Sequence, residues 1–167
     1  GIDLQSKDGK HRVSEINKGN FPFKTMDRSI LVEAKKSYLR KNLKATHSDS
    51  VYVDADIIIM SINYDLDKKD KTKINLIDFK KSCEVIANKI NENTLIIVQS
   101  TVAPGTCQKI AYPIFKKNLA RRKIDISTFW LAHSYERVMP GKDYLNSIVN
   151  YWRVYAGMNK RSSKMCK

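Results

Sequence analysis

Two hydroxyl side chains and a carboxylate follow apolar segments of this sequence. Ser100 and Thr101 come directly after the apolar run Leu95–Val98, and Glu136 with Arg137 follows a later apolar run. If the runs are parallel strands, these side chains lie at the carboxyl edge of a sheet, where open α/β folds bind ligands. Glu136 could then act as a general base or orient a water. Two alternatives stay open: the hydroxyls cap the next helix, and the glutamate forms a surface salt bridge with Arg137.

Apolar runs predict the strands that would position these residues. Leu95–Val98 is a continuous apolar run between polar residues, and residues 55–60 are apolar apart from Asp56; both are expected to be strands that helices cover on both faces. Shorter or less regular candidate strands lie at residues 1–4, 43–46, 128–132 and 151–156.

Helical patterns alternate with these strands. Asp27 is expected to cap a helix that ends near residue 42, and Asn75 to cap a helix over residues 76–90 with one apolar stripe. A third helix should start at Thr106 and bend at Pro113. A weaker pattern predicts helix over residues 13–18. Alternating strands and helices predict an α/β fold with a mainly parallel, doubly wound sheet.

Composition narrows the function classes. The chain has 167 residues, enough for one domain with a real core, and no apolar run approaches the ~20 residues of a membrane span. Its net charge is +14, but the basic residues are dispersed and lack the aromatic interleaving of single-strand binders, so we expect no nucleic-acid partner. Three cysteines without a CxxC pair favour a reducing, cytoplasmic setting.

Two further polar residues end predicted strands. Asp3 follows the first segment, and Asn63 follows the run at residues 55–60. An acid at such a strand end in a dinucleotide-binding fold accepts hydrogen bonds from the adenosine ribose and favours NAD over NADP. The alternative is that Asp3 is a turn former. The three histidines, His11, His47 and His133, are too scattered for a metal set, so no metal is expected.

The motifs together resemble a known family. They are Gly-Ile-Asp at residues 1–3, Ser-Thr-Val-Ala-Pro-Gly-Thr at 100–106 and Glu-Arg-Val-Met-Pro-Gly at 136–141. The sequence resembles the nucleotide-sugar dehydrogenases: the UDP-glucose, GDP-mannose and UDP-N-acetylmannosamine dehydrogenases. The similarity runs from residue 1 to about residue 157, and the Glu-Arg-Val form is closest to the N-acetylhexosamine branch.

The resemblance implies an NAD-dependent oxidation of the C6 alcohol of a UDP-sugar to the uronate, in polysaccharide biosynthesis. It matches Asp3 to the ribose-binding acid and Thr101 to the hydroxyl near the nicotinamide and the catalytic water. Glu136 matches the glutamate that works with that water in the second oxidation, through a thioester on an enzyme cysteine. We add Asn63 and Ser100 as cofactor-binding candidates and Arg137 as a substrate-binding candidate. The full-length protein is expected to be a homo-oligomer.

This sequence departs from the family pattern in several places. A first strand and glycine-rich turn would precede Gly1, and the nucleophilic cysteine would lie in a later region, so we interpret the chain as a fragment. Residues 1–157 would form a partial Rossmann-like domain, with residues 158–167 starting the connection to a substrate domain. Residues 5–11 look like an insertion after Asp3, which leaves Lys7 and Arg12 as alternatives for the basic residue near the ribose or phosphate. Competing functions are a non-catalytic nucleotide-binding α/β module and, less favoured, a basic RNA-binding module.

Overall fold

The computed structural model describes residues 1–62, 65–66 and 74–167. The chain divides into two compact units. Unit 1 comprises Gly1–Ser48 and Arg137–Trp152, and unit 2 comprises Asp49–Glu136 and Arg153–Lys167. The predicted Asn63 lies outside the described residues.

The described elements follow in chain order. They are α1 (Lys7–Ile16), α2 (Arg28–Leu39), β1 (Ile57–Met60), β2 (Asp65–Leu66), β3 (Ile74–Asn75), α3 (Ile77–Ala87), β4 (Leu95–Val98), α4 (Tyr112–Arg121), β5 (Trp130–His133), α5 (Tyr144–Asn150), β6 (Ala156–Gly157) and α6 (Lys160–Cys166). Single 3₁₀ turns cover Asp49–Tyr52 and Ile126–Thr128, and a π-helical turn covers Cys107–Ala111.

Unit 2 is built on a four-stranded sheet in the order β1-β4-β5-β6. The first three strands are parallel, with Ile57 opposite Leu95 and Leu95 opposite Trp130. The short β6 runs antiparallel to β5. The mainly parallel sheet predicted from the apolar runs is therefore confirmed. A separate two-residue pairing joins β2 and β3.

Helices cover the two faces of this sheet. The stripe predicted on α3 is confirmed, because Phe79, Cys83 and Ile86 are buried with Phe115 of α4 in one core cluster. Asn75 was predicted to cap α3, but Leu76 occupies the N-cap position; Asn75 lies one residue earlier and accepts a hydrogen bond from the Ile77 amide at 3.0 Å. On the opposite face α6 packs against β4, β5 and β6. A sheet with helices on both faces is the doubly wound arrangement.

The expectation that β1 is buried on both faces is wrong. Ile58 and Met60 face the core, whereas Ile57 and Ile59 are 57% and 59% exposed. On that second face α6 packs over β4 and β5, where Leu95 is buried. Among the described residues no helix extends this cover to the outer strand.

The structure differs from three other predictions. The predicted strand at residues 151–156 shrinks to Ala156–Gly157, and α5, which the sequence reasoning missed, occupies Tyr144–Asn150. The segments at residues 1–4 and 43–46 pair only as one parallel bridge, Ile2 with Thr46. The bend expected at Pro113 takes the form of the π-helical turn before α4, next to a proline that donates no hydrogen bond.

Helix α1 begins six residues earlier than predicted. Ser6 caps it by accepting from the Gly9 amide at 3.1 Å, so residues 5–11 hold the cap and first turns of the helix. The chain folds back closely here, since a Cβ at Gly9 would lie 1.9 Å from the Leu4 carbonyl oxygen. Only glycine allows that approach.

Asp27 of unit 1 caps two helices at once. Its carboxylate accepts from the Ser29 amide of α2 at 2.8 Å and from the Leu145 amide of α5 at 2.7 Å. The side chain of Asp143, which precedes α5, makes no capping hydrogen bond. The Ser29 hydroxyl and then the Leu145 amide are the main groups that hold the pKa of Asp27 below its usual value. Asp27 thus replaces the local cap that α5 lacks.

We expect Asp27→Ala to loosen both helix starts. The amides of Ser29 and Leu145 should exchange with solvent roughly tenfold faster, because each loses its acceptor. Hydrogen-exchange NMR measures this, with Asp143→Ala as the matched control that leaves both amides protected. In the wild type the protection should be full above about pH 4, the unfolded aspartate value, and should fall as the pH drops through the lower folded pKa. Equal effects of the two substitutions would contradict the double cap.

Candidate functional site

The carboxyl ends of β1, β4 and β5 meet at one edge of the unit 2 sheet. Their last residues, Met60, Val98 and His133, are aligned in the parallel register. Ser61, Ser100 and Glu136 lie just beyond these ends. Two of the predicted site residues, Ser100 and Glu136, are therefore brought to the same edge, as the spacing indicated.

Ser100 ties the ends of three strands together. Its hydroxyl donates to the Ile62 carbonyl at 2.6 Å and accepts from the Ile62 amide at 2.8 Å. Its own carbonyl lies 3.2 Å from Nε2 of His133, which must carry the hydrogen because a carbonyl only accepts. The alternative that Ser100 caps the next helix is wrong, since the helical segment begins at Cys107. Its cofactor role stays a prediction.

Thr101 extends from the same edge toward solvent. It is exposed, and its hydroxyl makes no hydrogen bond to any part of the chain that the structure describes. A hydroxyl in this state can meet a ligand without first breaking a protein contact. Thr101 therefore remains a candidate contact for a water or a cofactor.

Glu136 is held by side chains that the sequence reasoning did not single out. Nη1 of Arg153 lies 2.9 Å from Oε1 and 3.0 Å from Oε2 of the carboxylate. The side-chain amide of Gln99 donates to Oε2, and the Gln99 carbonyl oxygen accepts from the Ser61 hydroxyl at 2.9 Å. The alternative from the sequence was a salt bridge with Arg137, and the salt bridge that the structure shows for Glu136 is with Arg153. No sequence pattern predicts the pairing of Glu136 with Arg153, because the two residues are brought together by the pairing of β5 with β6.

The loop that follows Thr101 borders a cavity of ≈ 390 Å³ in unit 2. His133 and Tyr135 form part of its wall, and the segment from Val154 to Met158 forms another part. A volume of this size is within the usual range for small-molecule sites. The sequence reasoning did not predict it, because its walls come from segments about 50 residues apart.

Asp3 sits in a charged cluster of unit 1. Nε and Nη2 of Arg12 lie 2.5 and 3.0 Å from its two carboxylate oxygens, and the Leu4 amide donates at 2.7 Å. The Arg12 hydrogen bond is the main reason why the pKa of Asp3 is lowered, partly opposed by burial. Nδ1 of His47 donates to the Asp3 carbonyl at 3.0 Å. Of the two basic candidates, Arg12 is the one that the structure pairs with Asp3; which of them lies near the ribose or phosphate stays a prediction.

Arg137, the predicted substrate-binding residue, is exposed in unit 1, where its segment continues toward α5. Its predicted role is untested by the geometry.

The cysteines of the chain do not supply an activated thiol. Burial raises the pKa of Cys83 to about 12 and that of Cys107 to about 11, and it also raises that of Cys166. None of the three forms a disulfide, and their raised pKa values keep the thiols protonated at neutral pH. The described residues hold no group of three metal-ligating side chains and no helix long and apolar enough to cross a membrane.

Comparison with known proteins identifies the family. The model of the NAD-binding domain of the UDP-glucose/GDP-mannose dehydrogenase family matches residues 2–167. The chain belongs to this family. The family expected from the motifs at residues 100–106 and 136–141 is thereby confirmed, and so is NAD as the cofactor of this domain.

Relatives and solved structures agree with this assignment. The chain is 33% identical over 170 residues to the UDP-N-acetyl-D-mannosamine dehydrogenase of Methanococcus vannielii and 30% identical over 168 residues to that of Methanocaldococcus jannaschii. All of this chain is covered in both comparisons, but only 35% of each relative.

Structural similarity supports the fold. The NDP-N-acetyl-D-galactosaminuronic acid dehydrogenase of Methanosarcina mazei superposes with a TM-score of 0.88 at 21% identity, over 99% of this chain and 34% of that protein. The GDP-mannose dehydrogenase of Pseudomonas aeruginosa gives 0.83 at 18% identity, over 99% and 37%. The Rossmann-like fold predicted from the sequence is confirmed.

The hydrogen bonds of Ser100 predict that removing its hydroxyl destabilises the protein more than removing the hydroxyl of its neighbour Thr101. Ser100→Ala leaves the Ile62 amide and carbonyl without their partner and should lower the free energy of unfolding by about 1–3 kcal/mol. Thr101→Ala removes an exposed hydroxyl and should change it by less than about 0.5 kcal/mol. Urea unfolding followed by the fluorescence of the buried Trp130 measures both. Equal destabilisation by the two substitutions would contradict the tie.

Proposed function

We propose that this chain is the NAD-binding part of a longer nucleotide-sugar 6-dehydrogenase. The enzyme would oxidise the C6 alcohol of a UDP-N-acetylhexosamine to the uronate, in two steps that each reduce one NAD. The observation that carries the proposal is the family match over residues 2–167, supported by relatives that are UDP-N-acetyl-D-mannosamine dehydrogenases. Because the chain spans only 35% of their length, the substrate and the complete reaction are part of the proposal.

The cluster around Asp3 fits the adenosine ribose of NAD. Its lowered pKa keeps the carboxylate ionised at neutral pH, and an ionised carboxylate accepts hydrogen bonds from ribose hydroxyls. The same charge disfavours the 2′-phosphate of NADP. Arg12 is already engaged by Asp3, which supports the preference for NAD. When bound, NAD supplies the hydride acceptor.

Thr101 and Glu136 would supply the catalytic contacts of unit 2. The exposed Thr101 hydroxyl would hold a water beside the nicotinamide, and Glu136 would orient that water and accept its proton. We keep Asn63 and Ser100 as cofactor contacts and Arg137 as a substrate contact.

We infer that the reactive thiol comes from elsewhere in the longer enzyme, since all three cysteines here have raised pKa values. We further infer a cytoplasmic homo-oligomer that serves polysaccharide biosynthesis. The three unpaired cysteines support a reducing compartment.

A substrate panel tests the proposal on the full-length protein. With NAD present, kcat/KM should be at least about tenfold higher for UDP-N-acetylmannosamine or another UDP-N-acetylhexosamine than for UDP-glucose. Glu136→Gln and Thr101→Ala should each lower turnover by roughly 100-fold. NAD binding that survives both substitutions, with no turnover of any UDP-sugar by the wild type, would favour the non-catalytic nucleotide-binding module.

The 167-residue chain alone should produce no NADH from these substrates. The sequence contains no Gly-x-Gly-x-x-Gly turn to hold the NAD pyrophosphate, so the first hydride transfer is not expected, and its protonated cysteines supply no thiolate for the second. The same absorbance assay with the full-length protein is the positive control. Detectable NADH from the isolated chain would contradict this prediction.

A further inference from the structure

We propose that Arg153 and Gln99 are positioning residues that hold Glu136 for the hydrolysis of the covalent acyl intermediate. This inference rests on the proposed function. It adds two residues that the motifs at 100–106 and 136–141 assign no role: one precedes the first motif, and the other lies 17 positions after Glu136.

Arg153 contacts both oxygens of the carboxylate through one nitrogen. The distances from Nη1 are 2.9 Å to Oε1 and 3.0 Å to Oε2, so the guanidinium constrains the rotation of the carboxylate as well as its position. The side chains of Arg153 and Glu136 are 33% and 37% exposed. Ion pairs this exposed add little to stability. The contact is therefore better explained by orientation than by stabilisation of the fold.

Gln99 approaches the same carboxylate from the end of β4. A carboxylate only accepts hydrogen bonds, so the NH₂ group of Gln99 must face Oε2 of Glu136. The Gln99 carbonyl oxygen then accepts from the Ser61 hydroxyl, which follows β1. The Glu136 amide also donates to the main-chain carbonyl of Gln99 at 3.2 Å. Gln99, the residue that follows β4, thus forms hydrogen bonds with both the backbone and the side chain of Glu136.

The reaction step that needs this orientation is the addition of water to the acyl carbon. A C–O bond forms, the C–S bond breaks, the sulfur leaves as thiolate, and the proton of the water passes to Glu136 and then to solvent. No electron is transferred, so water is the only co-reactant. A base that swings away from the water by about 1 Å can cost roughly 100-fold in rate. Arg153 and Gln99 would prevent that movement while leaving the two hydride transfers unaffected.

The first arm of the test uses the 167-residue chain. In ¹⁵N–¹H spectra the side-chain amide of Gln99 should shift when its acceptor moves, in Arg153→Met and in Glu136→Gln. Arg121→Met removes an exposed arginine at the end of α4 and is the matched control, with no shift expected. If the Gln99 signal is unchanged in both site variants, the positioning network does not exist and the inference is overturned.

The second arm uses the full-length protein. For Arg153→Met we expect steady-state turnover to fall roughly 10- to 100-fold, with the first-turnover burst of NADH retained and the acyl-enzyme visible by intact mass. Gln99→Met should show the same pattern more weakly, and Arg153→Lys should recover part of the rate because it restores a donor. Arg121→Met should match the wild type.

The outcomes separate the two proposals. If burst, steady state and melting temperature all fall together, Arg153 is structural and the inference is overturned. If the wild type turns over a UDP-sugar and Arg153→Met has the same steady-state rate, the positioning role is overturned and the proposed function stands. No oxidation of any UDP-sugar by the wild type overturns the proposed function, and with it the catalytic role of the network.

Discussion

The parallel pairing of β1, β4 and β5 is the constraint on which the candidate site depends. Parallel strands place their carboxyl ends at one edge, and here the hydrogen-bonded ladder continues past the strands. The Gln99 amide donates to the Met60 carbonyl at 2.9 Å, and the Ser134 amide donates to the Val98 carbonyl at 3.0 Å. The backbone that carries Ser100 and Glu136 is thus fixed by main-chain bonds before any side chain contributes.

In unit 2, apolar packing stabilises the fold, whereas polar contacts orient a side chain. The apolar cluster between the sheet and helices α3 and α4, with Phe79 and Phe115 fully buried, provides the stability of unit 2. The polar contacts of Glu136 are largely exposed and add little to it. They set the direction of one carboxylate at the edge of the sheet. In unit 1 the part-buried Asp3–Arg12 pair lies next in sequence to the bridge between Ile2 and Thr46.

Local patterns predicted the features that depend on neighbours in sequence. The run Leu95–Val98, the α3 stripe and the Asp27 cap each follow from periodicity or capping chemistry, and all three are present. Features that depend on residues distant in sequence were not predicted. The exposure of Ile57 on β1 is one example, because α6 packs on β4, β5 and β6. The partners of Glu136 were missed for the same reason, because Arg153 reaches it only after β5 and β6 have paired. Motif resemblance predicts roles for Thr101 and Glu136, but it carries no information about the side chains that contact Glu136.

The number of NAD molecules reduced per sugar tests whether the full-length protein carries out both oxidations. The full-length protein would be supplied with a limiting amount of UDP-N-acetylmannosamine and excess NAD, and the NADH and the sugar product would be quantified at completion. The account predicts two NADH and one uronate per sugar, because the intermediate stays on the enzyme until water releases the acid. One NADH with free aldehyde, or NAD binding without any reduction, would contradict it.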